Sequence, residues 1–223
     1  MNILKTSLYI SALLLLTTSC TKTKEEYYPN GRIKSQIEYR FGKENGKMIY
    51  YDENYGTKTL EITMKKGKKE GKLTRYFANG NIETEATYKN DILEGKEIVY
   101  DIRGNKIVET TYLHGVKNGP YISWHEKEMI REKGNFLNDK FDSQWLYYDE
   151  RGVLVGEGNF SKGNGTLISY DSNGNLSRQS NYKNNLKNGP EIYFAANGDT
   201  IKIVYFQNDR IIRVDNKKEQ IEK

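Results

Sequence analysis

From Tyr27 to Asp215 the chain repeats itself about every 24 residues. The first glycine of each unit falls at Gly31, Gly56, Gly80, Gly104, Gly152, Gly174 and Gly198, in steps of 25, 24, 24, 48, 22 and 24. The doubled step hides a unit in which Glu128 stands where the glycine is expected. A second column holds Gly46, Gly71, Gly95, Gly119, Ser143, Gly165 and Gly189. One aromatic column holds Tyr27, Tyr51, Tyr76, Tyr100, Trp124, Tyr148, Tyr170 and Phe194; another holds Tyr39, Met64, Tyr88, Tyr112, Phe136, Phe160, Tyr182 and Phe206. Four columns in register over eight units require a stacked-repeat architecture, in which each unit buries its neighbour.

Within a unit the period is two. Ile82, Thr84, Ala86 and Tyr88 alternate with Glu83, Glu85 and Thr87, as in a strand with one shielded and one wet face. Asn79-Gly80 and its equivalents are hairpin turn signals, because both residue types accept positive φ. Asn45-Gly46, Asn118-Gly119 and Asn188-Gly189 read as the second turn. A glycine roughly every dozen residues excludes long helices. The expected fold is all-β: an elongated single-sheet antiparallel meander of about eight hairpins, or about sixteen strands at a spacing of about 4.8 Å. A small column (Ile37, Ile62, Ala86, Thr110, Gly134, Gly158, Ser180, Val204) lies two residues before the second aromatic column. Ile49, Ile98, Ile122, Leu146, Ile168 and Ile192 lie two before the first. Together these predict a core ladder of aromatics and aliphatics along one face.

The pattern Tyr-x-x-Asn-Gly, an aromatic eight residues after the glycine, then Lys-x-Gly or Lys-Asn-Gly, resembles MORN repeats. It is most similar to the longer bacterial variant of the YwqK-type family, whose members carry an antitoxin label. The resemblance covers residues 27–215. Unit five departs at Glu128 and Ser143, and unit six, Phe160 to Gly165, has a second turn shorter by two residues.

Residues 1–19 read as a signal peptide: Lys5, an apolar run from Leu8 to Leu16 that is too short to span a bilayer, then Thr17-Thr18-Ser19-Cys20. This resembles a bacterial lipoprotein signal, which implies diacylglycerol and acyl chains (palmitate among them) on Cys20, the chain's one cysteine. Thr17 departs from the aliphatic residue usual there, and an ordinary secretory signal with an incidental cysteine is the alternative. Two or three acyl chains anchor stably where one is marginal. Residues 20–26 are expected to be a lipidated polar tether and residues 216–223 a charged tail. Thr21 is not aspartate, which in the resembled lipoproteins favours the outer membrane, and Lys24-Glu25-Glu26 is similar to surface-export signals.

The formal charge of +5 comes from 35 basic and 30 acidic residues of mixed order, which does not point to nucleic acid. No catalytic constellation is expected. His114 and His125 fall in different parts of the repeat and read as surface loop residues. Asp52, Asp101, Asp149 and Asp171 read as turn-forming residues that hydrogen-bond the next backbone amides. Gly156-Glu157-Gly158 and Gly163-Asn164-Gly165 open no helix, as a phosphate loop requires. No metal and no cofactor beyond the Cys20 lipid is expected.

The expected function is therefore a non-enzymatic, lipid-anchored interaction or scaffold module of the cell envelope. Tyr28, Tyr50, Phe77, Tyr147 and Trp145 are the candidate contact residues, with Phe41 and Phe141 near the second turn as further departures from the pattern. The antitoxin label of the resembled family implies a narrower version, binding and neutralising a toxin. A third class is phospholipid or surface-polymer contact, for which Lys65, Lys66, Lys68 and Lys69 form the densest basic patch, or a structural envelope role.

Overall fold

The structure, a computed structural model, describes residues 21–217. The expected signal peptide, Cys20 and residues 218–223 lie outside them. The strands are β1 (Thr21–Tyr27), β2 (Ile33–Arg40), β3 (Lys43–Tyr51), β4 (Lys58–Lys65), β5 (Lys68–Tyr76) and β6 (Ile82–Lys89). They continue as β7 (Ile92–Tyr100), β8 (Lys106–Leu113), β9 (Val116–Trp124), β10 (Ile130–Leu137), β11 (Lys140–Tyr148) and β12 (Leu154–Ser161). The last five are β13 (Asn164–Tyr170), β14 (Leu176–Lys183), β15 (Leu186–Phe194), β16 (Thr200–Gln207) and β17 (Arg210–Asn216). Each strand pairs antiparallel with its sequence neighbours, so the seventeen form one open meander. The segment expected as a tether is most of β1, which ladders against β2 from Thr21↔Arg40 to Tyr27↔Ile33.

The eight tight turns sit elsewhere than the second glycine column. In each, two consecutive residues have positive φ, for example Asn90 (51°) with Asp91 (71°) and His114 (52°) with Gly115 (82°). That is the primed geometry that matches strand twist. Every turn after the first, Phe41-Gly42, docks on the preceding hairpin. Asp91 N–H donates to Lys69 O at 3.0 Å while Asp91 Oδ1 accepts from Lys69 N–H at 2.8 Å. Asp139 with Lys117 and Asp209 with Lys187 repeat this two-point contact.

The second glycine column is a bulge. Ile62 pairs Leu73 and Met64 pairs Lys69, so three residues around Gly71 oppose Thr63 alone. Each member of the column also sits directly across from the second aromatic of the next strand: Gly71↔Tyr88, Gly95↔Tyr112, Gly119↔Phe136, Ser143↔Phe160. This explains why the two columns travel together. In unit six the bulge is gone, with Gly158↔Leu167 to Ser161↔Asn164 in continuous register. The two missing residues are the bulge, and the turn itself is unchanged. In unit five Glu128 (φ 61°) and Ser143 (φ 60°) adopt the left-handed conformation of the glycines they replace.

The two aromatic columns lie on opposite faces, contrary to the one-faced ladder expected from the sequence. Alternation and register put Ile37, Tyr39, Met48, Tyr50 and Ile62 on one face, here called A, and Ile49, Tyr51 and Glu61 on the other, B. Across the middle of face A runs one row: Ile62, Leu73, Ala86, Glu97, Thr110, Tyr121, Gly134. It resumes as Trp145, Gly158, Leu167, Ser180, Glu191, Val204. The even-numbered strands supply the smaller residue in most rungs. Apart from Thr74, every buried non-glycine residue among those described lies on face A. Face B is half-buried aliphatic with rimming ion pairs, Lys47–Glu61, Lys72–Glu85 and Lys96–Glu109.

Candidate functional site

The aromatic packing of face A is concentrated in units five and six. Phe136, Trp145 and Phe160 form its buried centre, with Tyr121, Phe141, Tyr147, Leu167 and Tyr182 against it. Trp145 meets Phe141 at 4.6 Å and Phe136 at 5.0 Å between ring centroids, both edge to face, a favoured geometry. Its indole N–H donates to Asn135 O at 3.1 Å. Gly134 and Gly158 flank the indole on the neighbouring strands. A Cβ on Gly134 would stand 2.2 Å from Trp145 Cδ2. The absence of a side chain at Gly134 makes room for the indole; at Gly158, paired with Trp145, it makes room for the Phe160 ring.

Several contact residues expected from the sequence are thus core. Trp145 is 1% exposed. Tyr147 is half-buried beside it, and burial, with the charge of Glu132 assisting, raises its hydroxyl pKa. Alternation sends both to the face opposite the first aromatic column, and that face is the more shielded one. Phe141 is part of the same cluster. Tyr28 is half-buried, its hydroxyl donating to Tyr51 O at 2.8 Å. Tyr50 and Phe77 are also half-buried. Lys65, Lys66 and Lys68 are exposed around their turn, while Lys69 is half-buried with its Nζ 4.9 Å from the Tyr88 ring centre. Phe41 is 86% exposed at the tip of the neighbouring turn.

Next to the aromatic cluster, face A carries a hollow of about 520 Å³. A second row of the face builds it: Tyr147↔Gly156, Gly156↔Ser169, Ser169↔Arg178, Arg178↔Tyr193. Gly156 and Ser169 are adjacent small residues, so the row drops between Tyr147 on one side and Arg178 with Tyr193 on the other. Leu167 lines the hollow from the central row. The Arg178 column holds Leu60, Thr84 and Val108 in earlier units, so the guanidinium is particular to this place.

One row over lies Glu191, 2% exposed. Burial works to raise its pKa, but hydrogen bonds from Lys187, Ser180 (2.6 Å) and Tyr193 (2.6 Å) prevail and hold it below the ordinary carboxylate range. Tyr193 is raised in turn, by its bond to Glu191 and then by burial. Glu191 is a committed structural carboxylate. Glu132 is similarly engaged, accepting from Tyr121 and Ser123 at 3.1 Å each. Sequence reasoning missed both, because a charged residue in an alternating strand reads as solvent-facing.

The residues weighed for chemistry are turn formers. Asp101 Oδ1 accepts from Arg103 and Asn105 N–H at 2.8 and 2.9 Å, and Asp149 and Asp171 do the same two and four residues on. Asp52 Oδ1 accepts from the N–H groups of Asn54 and Tyr55. His114 occupies the first position of its tight turn, and His125 Nε2 bonds Tyr148 O at 2.8 Å. Among the described residues no group of three or more His, Cys, Asp or Glu converges as a metal cluster. No helix among them is long and apolar enough to cross a membrane.

Three segments, residues 22–40, 69–90 and 164–184, match the MORN repeat variant family. The first begins inside β1 and supports the assignment of that strand to the repeat. No curated protein matches the chain. Among solved structures, the crystal structure of TcdB2-TccC3-Cdc42 aligns at 12% identity and a TM-score of 0.12, over 87% of this chain and 16% of that one. So distant an alignment carries no argument about fold or function.

Proposed function

With MORN-variant repeats on three segments of the sheet, we propose that the chain is a non-enzymatic interaction module of the bacterial cell envelope, held there by lipid on Cys20. The observation that carries this reading is the contrast on face A. A tightly packed aromatic centre, with Trp145 packed over Gly134 and Phe160 over Gly158, stands beside an unfilled hollow walled by Tyr147, Arg178 and Tyr193. Rigid support next to an unfilled, partly polar recess is how recognition surfaces are built. The carboxylates nearest the recess, Glu191 and Glu132, are committed to hydrogen bonds that hold the sheet, which suits binding better than proton transfer.

The narrower version makes the partner a toxin met in the envelope, so that the chain acts as an immunity protein. It draws on the label of the resembled YwqK-type family and on the signal peptide. The test is a pull-down of the full chain from native envelope, anchored through Cys20 and, in parallel, as Cys20→Ala. One stoichiometric partner that resists high salt supports the module, and a partner toxic in its absence supports the narrower version. Recovery of no partner in either form refutes both.

A second reading has its own observation. Phe41, Arg40, Lys43, Asn45 and Lys66 surround a recess of about 370 Å³ at the turn edge, with the Arg40 guanidinium 5.3 Å from the Phe41 ring centre. An exposed aromatic ringed by cations suits an anionic lipid surface. Salt-sensitive binding to anionic vesicles that is lost in Phe41→Ser supports it, and equal binding to neutral vesicles contradicts it.

A further inference from the structure

We propose that the hollow around Arg178 is a binding site for a single carboxylate group. Its use in recognition rests on the binding-module reading above, but the site can be tested without it.

Arg178 Nε is buried and has no acceptor among the described residues. Buried donors are paired in the great majority of cases, because leaving one unpaired costs its full desolvation. Among the described residues the side-chain partners of the guanidinium are neutral hydroxyls: Nη2 donates to Ser169 Oγ at a long 3.4 Å, and the group also bonds the Tyr193 hydroxyl. The carboxylates within reach of the row are taken, Glu191 by Lys187, Ser180 and Tyr193 and Glu132 by Tyr121 and Ser123. The planar donor fork of arginine therefore lines a recess with neutral hydroxyls as its side-chain partners and Nε unpaired, not with the bidentate carboxylate its geometry suits.

The surroundings select the charge and shape of the ligand. Lys187 is paired with Glu191, and Lys202 lies over the Tyr193 ring with Nζ 4.0 Å from its centre. With Glu191 and Glu132 nearby, the local field suits a monoanion better than the double charge of a phosphate. Leu167 and the Tyr147 ring give the recess an apolar wall for the carbon chain behind the carboxylate. Gly156 provides the depth: a Cβ there would intrude 3.6 Å from Tyr147 Cβ and 3.1 Å from Ile168 O. A glutamate or aspartate side chain of a partner protein and a free short-chain acid share this chemistry.

The test follows the Arg178 Nε–H resonance in the ¹⁵N-labelled full chain, assigned by its loss in Arg178→Lys. Propionate, propionamide, inorganic phosphate and a short peptide with one glutamate are titrated in turn. The expected result is a saturable shift with propionate and with the peptide, and none with propionamide. Tighter binding of the peptide identifies a partner side chain as the source, and tighter binding of propionate a free acid. Arg178→Gln should weaken the response, followed through the Tyr193 ring signals, by roughly tenfold or more. Gly156→Ala should weaken it with the far-ultraviolet spectrum unchanged. A linear, unsaturating response to propionate, equal or tighter binding of phosphate, or an Arg178→Gln protein that titrates like wild type overturns the site. A pull-down without partners would instead remove the module reading and leave this result standing.

Discussion

Gly134→Ala should be far more damaging than an exposed-strand glycine-to-alanine change, for a reason the geometry isolates. Gly134 is not among the positive-φ glycines, so alanine meets no backbone penalty and gains in strand propensity. The obstacle is Trp145: the new methyl would sit 2.2, 2.3 and 2.6 Å from Cδ2, Cε2 and Cγ. The indole cannot swing aside freely, because its N–H is bonded to Asn135 O and its faces meet Phe136 and Phe141. Overpacking of this kind costs about 1–3 kcal/mol, and a ring fixed on several sides belongs at the upper end, about 3 kcal/mol. Trp145→Ala alone removes a 1%-exposed side chain and should cost about 4 kcal/mol. In the double variant the methyl enters the vacated space, so the pair should cost about as much as Trp145→Ala alone. The coupling is then about 3 kcal/mol. Urea unfolding followed by far-ultraviolet circular dichroism reads all four proteins, and hydrogen exchange of β10 and β11 amides reads the effect locally. Additive costs, or a Gly134→Ala protein within about 0.5 kcal/mol of wild type, would refute the packing of the indole over Gly134.

Further outcomes follow from the same structure. Ser143→Gly and Glu128→Gly should each stabilise by about 1 kcal/mol, since both residues hold φ near 60° where glycine carries no steric cost; unchanged or lower stability in chemical denaturation would contradict the bulge and turn assignments. Asp101 is held at about 2 by hydrogen bonds from Asn105 and Arg103, with Asp149 and Asp171 also lowered. Folded-state pKa values below the unfolded ones give stability that is present above about pH 4 and lost as pH falls toward 2. The acid limb of a pH–stability curve should therefore flatten in Asp101→Asn, and an identical limb would argue against these turns. Glu191→Ala should cost about 2 kcal/mol by leaving Ser180, Tyr193 and Lys187 without their acceptor, a figure discounted because Lys187 is partly exposed; thermal melts within error of wild type would show the network to be dispensable.

The repeat made the architecture legible from residue types alone. Columns of glycine and aromatic residues fixed the unit length and the alternation fixed strands, while the small column from Ile37 to Val204, expected to flank the core rings, lies along the most shielded row. The departures at Glu128 and Ser143 were placed correctly because both take over the left-handed backbone of glycine. What misled was local. Asn-Gly is a turn signal in isolation, yet at Asn45-Gly46 it forms a bulge, and the Asn45 side chain accepts from Lys66 N–H on the next turn. The true turns are hidden because Asn, Lys, His and even Phe41 fill them. The two aromatic columns, twelve residues apart across a two-residue turn as at Tyr39 and Tyr51, face opposite ways, and the even number of extra residues in the bulge leaves that parity unchanged. β1 escaped notice because an edge strand of alternating charge, Lys22 to Glu26, has the composition of a linker, and its charges guard an open edge. At the site, Trp145 looked like an exposed anomaly. Its burial depends on Gly134 of the adjacent strand, where a side chain would strike the indole and which only the sheet brings beside it. Arg178 carried no signal, since one arginine on an alternating strand is ordinary until its neighbours prove small.

The most direct measurement places a photo-crosslinking amino acid at Ser169 on face A and, separately, at Thr166, which its partners Asn159 and Asn181 set on face B, in the full chain in living cells. A binding module that works through face A predicts one discrete adduct from position 169 and none from 166. Adducts from 166 alone, or none from either position, would contradict it.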